Sequence, residues 1–483
     1  MEWQQLLAKK WVRIGLVVFF ILIILGGLWY LFGRGTRANN VIEEIFSFGA
    51  SVSNNPQESG ANLIEGTTNS GQDRNKDGIV EEPMFRQLAS VQVAGAYALK
   101  RGGVPYVRYI EKETGHAYEV NLSDGAGRQL TQTTIPRIAL ADWALDGNAV
   151  ILRSLERDAF SGRDVVKTRL GRLPVAIPTR DAQGSVSATQ ADSDLSSASS
   201  SFDRVGAMKI EPLPDNIIAL SVAPDGKDLF YLIKNANGVS GSIINLETRA
   251  TKAVFQNALS EWSPQMLSDG TIILTTKPSG EVAGYSYRYD PKTKALERLV
   301  REKNGLTTLG TGSGSRVLYG ENIAKNSTLG VYSKSGFAGD EGTVFYEKTV
   351  SLATLPEKCA WLSDGIRLLC GSFVNTPSGL IPDLWYQGRL SFSDTFWSLD
   401  TNTDEIAYLA DPKTEAGQEF DVTNPIVSTN EEHFIFTNKK DGTLWSMRVP
   451  KKEVPAEETE TLPSNLSPAE LQDAKGSEQG NLP

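Results

Sequence analysis

Along most of this chain, apolar positions alternate with polar ones in short runs, and the runs come in sets of four. A period of two places successive side chains on opposite faces of a strand, so each run predicts a half-buried β-strand. In each set a first run leads into an Asp-Gly-like turn and an apolar second run follows. Examples of the second run are 149–152 (Ala-Val-Ile-Leu), 229–233 (Leu-Phe-Tyr-Leu-Ile), 272–274 (Ile-Ile-Leu), 366–369 (Ile-Arg-Leu-Leu) and 434–436 (Phe-Ile-Phe). A third run carries alternating aromatics, as at Tyr285, Tyr287 and Tyr289, or Phe396 with Trp397. The fourth run follows a polar turn such as Asp290-Pro-Lys-Thr-Lys or Asp400-Thr-Asn-Thr-Asp. No stretch between residues 85 and 449 shows the 3.6-residue period of an amphipathic helix.

The turns fix the repeat. Clear copies lie at Asp146-Gly147, Asp225-Gly226, Asp269-Gly270 and Asp364-Gly365, with weaker relatives at Arg101-Gly102, Ser313-Gly314 and Asn430-Glu431. A unit of about 40–50 residues with four short strands is the mark of a propeller blade. The expectation is an all-β, seven-bladed ring, within a range of six to eight, over residues 85–449. Trp143 and Trp361 recur at one first-strand position and are assigned to the core. The last unit runs out after 443–449 (Thr-Leu-Trp-Ser-Met-Arg-Val), where Pro450 and an acidic tail begin. Its missing fourth strand must come from the other end of the domain, around Phe85–Ala89, which removes an open sheet edge.

The form Trp-Ser-Pro-Asp-Gly, then an apolar strand, then Tyr-x-x-x-Asp, resembles the blade repeat of TolB-like (WD-repeat-like) propellers. The resemblance covers residues 85–449 and is best over 217–299. It implies the fold; propellers of this kind serve as scaffolds, receptors and gating domains of some peptidases, so it names no ligand.

Residues 1–37 read as a cytoplasmic stub and a transmembrane helix. The 19 residues from Ile14 to Phe32 carry no charge, and at about 1.5 Å per residue they nearly cross a core of about 30 Å. Trp29 and Tyr30 sit at one interface, with Arg34 and Arg37 beyond. A cleaved secretory signal is the other reading, although the run is long for an h-region and no Ala-x-Ala site follows. Lys9, Lys10 and Arg13 before the span favour an N-terminus inside and a body outside the cytoplasmic membrane. Residues 38–84 form an acidic stalk and 450–483 an acidic Pro-rich tail, both with the composition of disordered chain. Within the stalk, Asp73, Asn75 and Asp77 with Gly78 match the first two thirds of a calcium loop. Position 12, where a bidentate Glu belongs, is Met84, so a weak calcium site and a solvated acidic linker both stand as readings.

Cys359 and Cys370 are the chain's two cysteines and flank the sixth turn. If that hairpin folds between Asp364 and Gly365, they face each other at about 4.5–5.5 Å, within disulfide reach. They read either as a disulfide in an oxidising compartment or as two buried thiols packing as small hydrophobes.

The net charge of −10 is carried mainly by the stalk (−6) and tail (−4), against +4 in residues 1–37. The nearly balanced ring excludes nucleic acid as a partner, since that needs a basic footprint. With two histidines, His116 and His433, and no nucleophile elbow, zincin or phosphate-loop motif, no catalytic residue or cofactor beyond that calcium loop is assigned. Two long intervals mark excursions: one of 79 residues containing the Ser-rich 179–206, and one of 66 containing 373–394. In the second, Leu384, Trp385, Tyr386 and Arg389 are the candidate partner-binding residues, since Trp, Tyr and Arg anchor interfaces; alternatively Trp385 and Phe392 tuck the loop onto the rim or plug the channel. The expected function is a membrane-anchored extracytoplasmic propeller that holds a protein or envelope component. Its rival is a hydrolase or lyase acting on envelope polysaccharide through carboxylates drawn from several blades.

Overall fold

The computed structural model describes residues 82–159, 162–174, 205–323, 326–335, 344–373 and 380–450. Seven four-stranded antiparallel sheets make up this region. Strand β1 (Phe85–Ala89) comes first; β2–β5 within 93–129 form blade 1, β6–β9 within 138–212 blade 2, and β10–β13 within 217–257 blade 3. Blades 4, 5 and 6 are β14–β17 within 262–304, β18–β21 within 307–350 and β22–β25 within 359–410. Blade 7 has the order β1-β28-β27-β26, in which β26 (Val422–Val427), β27 (His433–Asn438) and β28 (Leu444–Arg448) are joined by the first strand of the chain. Phe85 pairs with Met447 and Ala89 with Leu444, which supplies the fourth strand that the C-terminal unit lacks.

The blades cohere because each apolar sheet face is buried against its neighbour. One apolar cluster fills every seam: Phe230, Trp262 and Ile272 between blades 3 and 4, for instance, and Phe85, Phe396, Phe420 and Phe434 between blades 6 and 7. Burying each such side chain stabilises by about 1.5–3 kcal/mol. The seam between blades 1 and 2 also holds Glu119, whose buried carboxylate accepts from Arg101, Arg108 and Arg128. Glycine recurs in the blade turns because that position is left-handed, with φ between 63° and 81° at Gly147, Gly226, Gly270, Gly314 and Gly365. In the seventh turn Glu431 takes that conformation at φ 59°. Its carboxylate accepts from the Ser363 amide at 2.7 Å, tying blade 7 to the turn of blade 6.

Antiparallel alternation divides the loops between two ends of the ring. The Asp-Gly turns lie at one end; the second-to-third-strand loops and the blade-to-blade connections lie at the other, called here the upper face. Residues 82–84 and 449–450 are at the lower end, where Arg448 N donates to Met84 O at 2.8 Å and His433 Nε2 lies 3.2 Å from Glu82 Oε1. The chain therefore enters and leaves the ring through one face.

Among the described residues no helix is long and apolar enough to cross a membrane; the segment 14–32 lies outside them, as do most of the Ser-rich excursion and the tail. That excursion interrupts blade 2 between β8 (Asp164–Arg172) and β9 (Lys209–Pro212).

Candidate functional site

The second excursion joins β23 (Arg367–Phe373) to β24 (Asp394–Asp400) of blade 6 on the upper face. From residue 380 it is described, and it contains a one-turn helix α1 (Asp383–Tyr386) after a cis Ile381-Pro382 bond. Ile381, Trp385, Tyr386 and Phe392 pack with Leu355 and Phe373 into a small apolar cluster of their own, and Phe373 stacks on Phe392 at 4.6 Å.

Polar contacts spread this segment over several blades. Asp383 Oδ2 accepts from the Gly280 amide of blade 4 at 2.6 Å. Tyr386 donates to Glu357, just before blade 6, and that carboxylate also accepts from Thr307 of blade 5 at 2.9 Å. Trp385 Nε1 donates to both oxygens of Asp421, just before blade 7, at 2.9 and 3.1 Å. Glu357 and Asp421 precede innermost strands, so the segment lies over the inner rim of the ring. Gly280 permits the approach: a Cβ there would stand 3.0 Å from Ile381 O and 3.3 Å from Asp383 Oδ2.

Beneath it lies a buried charge cluster. Lys358 Nζ donates to Asp394 Oδ2 at 2.5 Å and Asp421 Oδ1 at 2.6 Å, and all three side chains are fully buried. Asp421 Oδ2 further accepts from Ser391 Oγ and the Phe392 amide, both at 3.0 Å. Asp394 Oδ2 accepts from the Val422 amide at 2.7 Å, whereas its Oδ1 is buried without a hydrogen-bond partner. Burial pushes the Asp394 carboxyl up to about 6 against the pull of Lys358. Burial pushes Asp421 up, but the Lys358 ammonium and the Phe392 and Trp385 donors together displace it downward. Lys358 is raised although burial opposes it, since two carboxylates surround it. Burial also raises Glu357 and sends Tyr386 well above the usual phenol range, consistent with a hydroxyl donating to that carboxyl.

The structure thus turns Trp385 and Tyr386 inward, at 2% and 7% exposure, into the tucked arrangement rather than onto the surface. Leu384 is half-buried, and Arg389 is exposed with its guanidinium 3.4 Å from Gln387 Oε1. Cys359 and Cys370 are opposed in β22 (Cys359–Trp361) and β23, with Cα atoms 4.1 Å apart and sulfurs bonded at 2.12 Å. Asp73, Asn75 and Asp77 lie outside the described residues. Among the described residues, no three His, Cys, Asp or Glu side chains are grouped to hold a metal ion.

Sequence reasoning missed Lys358, Asp394 and Asp421, which lie just before blade 6, at the start of β24 and just before blade 7, and form no motif. Chemically, the two carboxylates have no route to solvent and are held by an ammonium and by backbone amides. They organise the insert; they are not placed to exchange protons with a ligand.

No protein-family model matches this chain, and no curated protein matches it. Solved structures do. TolB from Acinetobacter baumannii matches at 12% identity over 66% of this chain and 63% of that one, with a TM-score of 0.36. The β-propeller domain of Cps50 (Swd1) from Myceliophteria thermophila matches at 9% identity over 76% of this chain and all of that one, with a TM-score of 0.47. An oligogalacturonate lyase in complex with manganese matches at 9% identity, over 75% and 97%, with a TM-score of 0.40. The chain spans less than two thirds of the TolB structure. These are likenesses of fold, and they transfer no residue roles.

Proposed function

We propose that this chain is a membrane-anchored, extracytoplasmic propeller that holds a protein or envelope component on its upper face without covalent chemistry. One observation carries the reading: the insert is clamped onto blade 4 and onto the connections that lead into blades 6 and 7, on the face opposite to where the chain enters and leaves the ring. A ring tethered through residues 1–84 then presents this platform away from its tether. Fixing a loop in advance removes part of the ordering cost of association. Outward from it point Leu380, Gln387 and Arg389, and the nearby loop of blade 4 adds Val282 at 64% exposure. The Cys359–Cys370 bond supports an oxidising compartment. The rival hydrolase reading gains nothing from Asp394 and Asp421, which are sealed and ion-paired.

The test is affinity capture from envelopes of the source cell, with the wild-type chain and a Leu380→Asp, Arg389→Glu double variant as baits. Both side chains are exposed, so the variant keeps its fold. A protein retained by the first bait and lost by the second supports the proposal. Equal capture by both moves the site off the insert, and reducing sugar released from envelope polysaccharide by the wild-type chain overturns the non-catalytic reading.

A further inference from the structure

Beside the insert, the loop between β27 and β28 carries Lys439, which is 4% exposed. Its ammonium lies 5.3 Å from the centre of the Trp385 ring, and among the described residues no carboxylate or other acceptor lies within hydrogen-bond reach of it. The adjacent loop of blade 1 carries Lys112, half-buried and likewise without an acceptor for its ammonium among the described residues. The two loops are joined through one connection: Lys112 N donates to Gln92 O at 2.9 Å, and the next residue, Val93, donates to Gly442 O at 2.9 Å. Burial lowers both lysines, and for Lys439 the charges of Lys358 and Lys112 add to the effect against the pull of Asp421.

The neighbouring charges are already committed. Lys358 holds Asp394 and Asp421, Lys440 holds Glu419 at 3.0 Å, and Glu111 accepts from Thr114 at 2.6 Å. The buried carboxylates of the inner rim, Glu357, Asp394 and Asp421, thus all have donors of their own, whereas the Lys439 and Lys112 ammoniums have no acceptor. The Lys439 side chain is almost wholly buried while its ammonium has no acceptor, and a carboxylate placed between Lys439 and Lys112 supplies one. The cavity of about 340 Å³ on blade 2 offers no such demand, because its Lys167 and Arg169 already hold Asp215 and Glu156.

We propose that Lys439 and Lys112 form a subsite for one carboxylate, presented by the partner protein as an acidic side chain or a C-terminus. The proposal rests on the binding-module reading and names the chemistry by which that face recognises its partner. A carboxylate brings one charge and two oxygens, one for each ammonium, whereas phosphate brings nearly two charges.

The probe is an acetylated, amidated Glu-Ala-Glu-Ala-Glu peptide, titrated calorimetrically into the full chain in detergent micelles. Its Gln counterpart and inorganic phosphate serve as comparisons. The expected result is binding of the Glu peptide alone, weakened roughly ten-fold or more by Lys439→Met and by Lys112→Met. Lys439→Met is expected to melt no lower than wild type, because it removes an uncompensated charge and keeps the side-chain volume. Peptide binding unchanged by both variants, absent from the wild type, or weaker than that of phosphate overturns the subsite. So does a clear fall in the melting temperature of Lys439→Met, which marks the lysine as structural. An envelope partner still captured by Lys439→Met refutes the subsite while leaving the binding-module reading intact.

Discussion

Lys358→Met tests whether the buried ammonium holds the insert in place. The substitution keeps an unbranched side chain of similar length and deletes two charge-assisted hydrogen bonds, of 2.5 and 2.6 Å, to fully buried carboxylates. Removing one partner of a buried ion pair costs about 3–5 kcal/mol, mostly through the charge left behind. Asp421 keeps Trp385, Ser391 and the Phe392 amide as donors. Asp394 keeps only the Val422 amide and escapes by taking up a proton. Without Lys358, Asp421 loses the main cation that holds it down, and the folded-state value of Asp394 rises further above its unfolded value. Stability linked to such groups is present below the unfolded value, near pH 4, and is lost as pH rises through the folded one. The deficit of the variant should therefore be large at pH 8 and smaller at pH 5. Urea unfolding of both proteins at the two pH values measures it, and proteolysis within 374–393 reports whether the insert opens. A deficit below about 1 kcal/mol at pH 8, or one equal at both pH values, refutes the reasoning.

Asp394→Asn addresses the same cluster from the other side. The carboxyl sits at about 6 in the folded state, so its contribution is fully present below about pH 4 and lost as pH rises through about 6. The variant should show a flatter dependence of the urea midpoint across that window. Gly280→Val places a branched side chain against Ile381 O and Asp383. Hydrogen exchange should accelerate across 380–393 and stay slow in the strands of blades 1–3; uniform acceleration would mean that the insert and ring open together. Reducing Cys359–Cys370, or substituting Cys359→Ser, removes a link across a sequence separation of 11 and should cost roughly 3 kcal/mol on the chain-entropy account. An unchanged unfolding midpoint after reduction would contradict that figure.

The ring was legible where chemistry repeats. Gly147, Gly226, Gly270 and Gly365 mark turns because their backbone requires positive φ, and a period of two locates the strands around them. Opposition of Cys359 to Cys370 follows from the turn, since register is fixed once a hairpin's centre is known. The need for a strand near Phe85 followed from a blade one strand short. The site was not legible, for a definite reason. Asp394 and Asp421 lie 36 and 63 residues beyond Lys358 in sequence, and the three meet only because two blade connections and the start of β24 converge on one rim. Taken singly, each reads as a solvated charge between strands. Trp385 and Tyr386 also read two ways, because an aromatic in a long loop looks alike whether it faces a partner or its own scaffold. Only the positions of Asp421 and Glu357 distinguish the two.

The clasp in blade 7 has a mechanical consequence. Strands β1 and β28 run antiparallel, and residue 84 lies beside residue 448. A load applied between the N-terminal segment and the opposite face pulls β1 along its own length. All the hydrogen bonds of that ladder are then sheared together, and Phe85 is dragged against Phe396 and Phe420, at 5.2 and 5.5 Å. A load applied across the two chain ends would instead peel the same ladder open from its lower end, one bond at a time. The geometry thus makes the ring strong along the line from its N-terminal strand to the upper face and weak across the two chain ends, a contrast that single-molecule pulling from the two pairs of attachment points would expose directly.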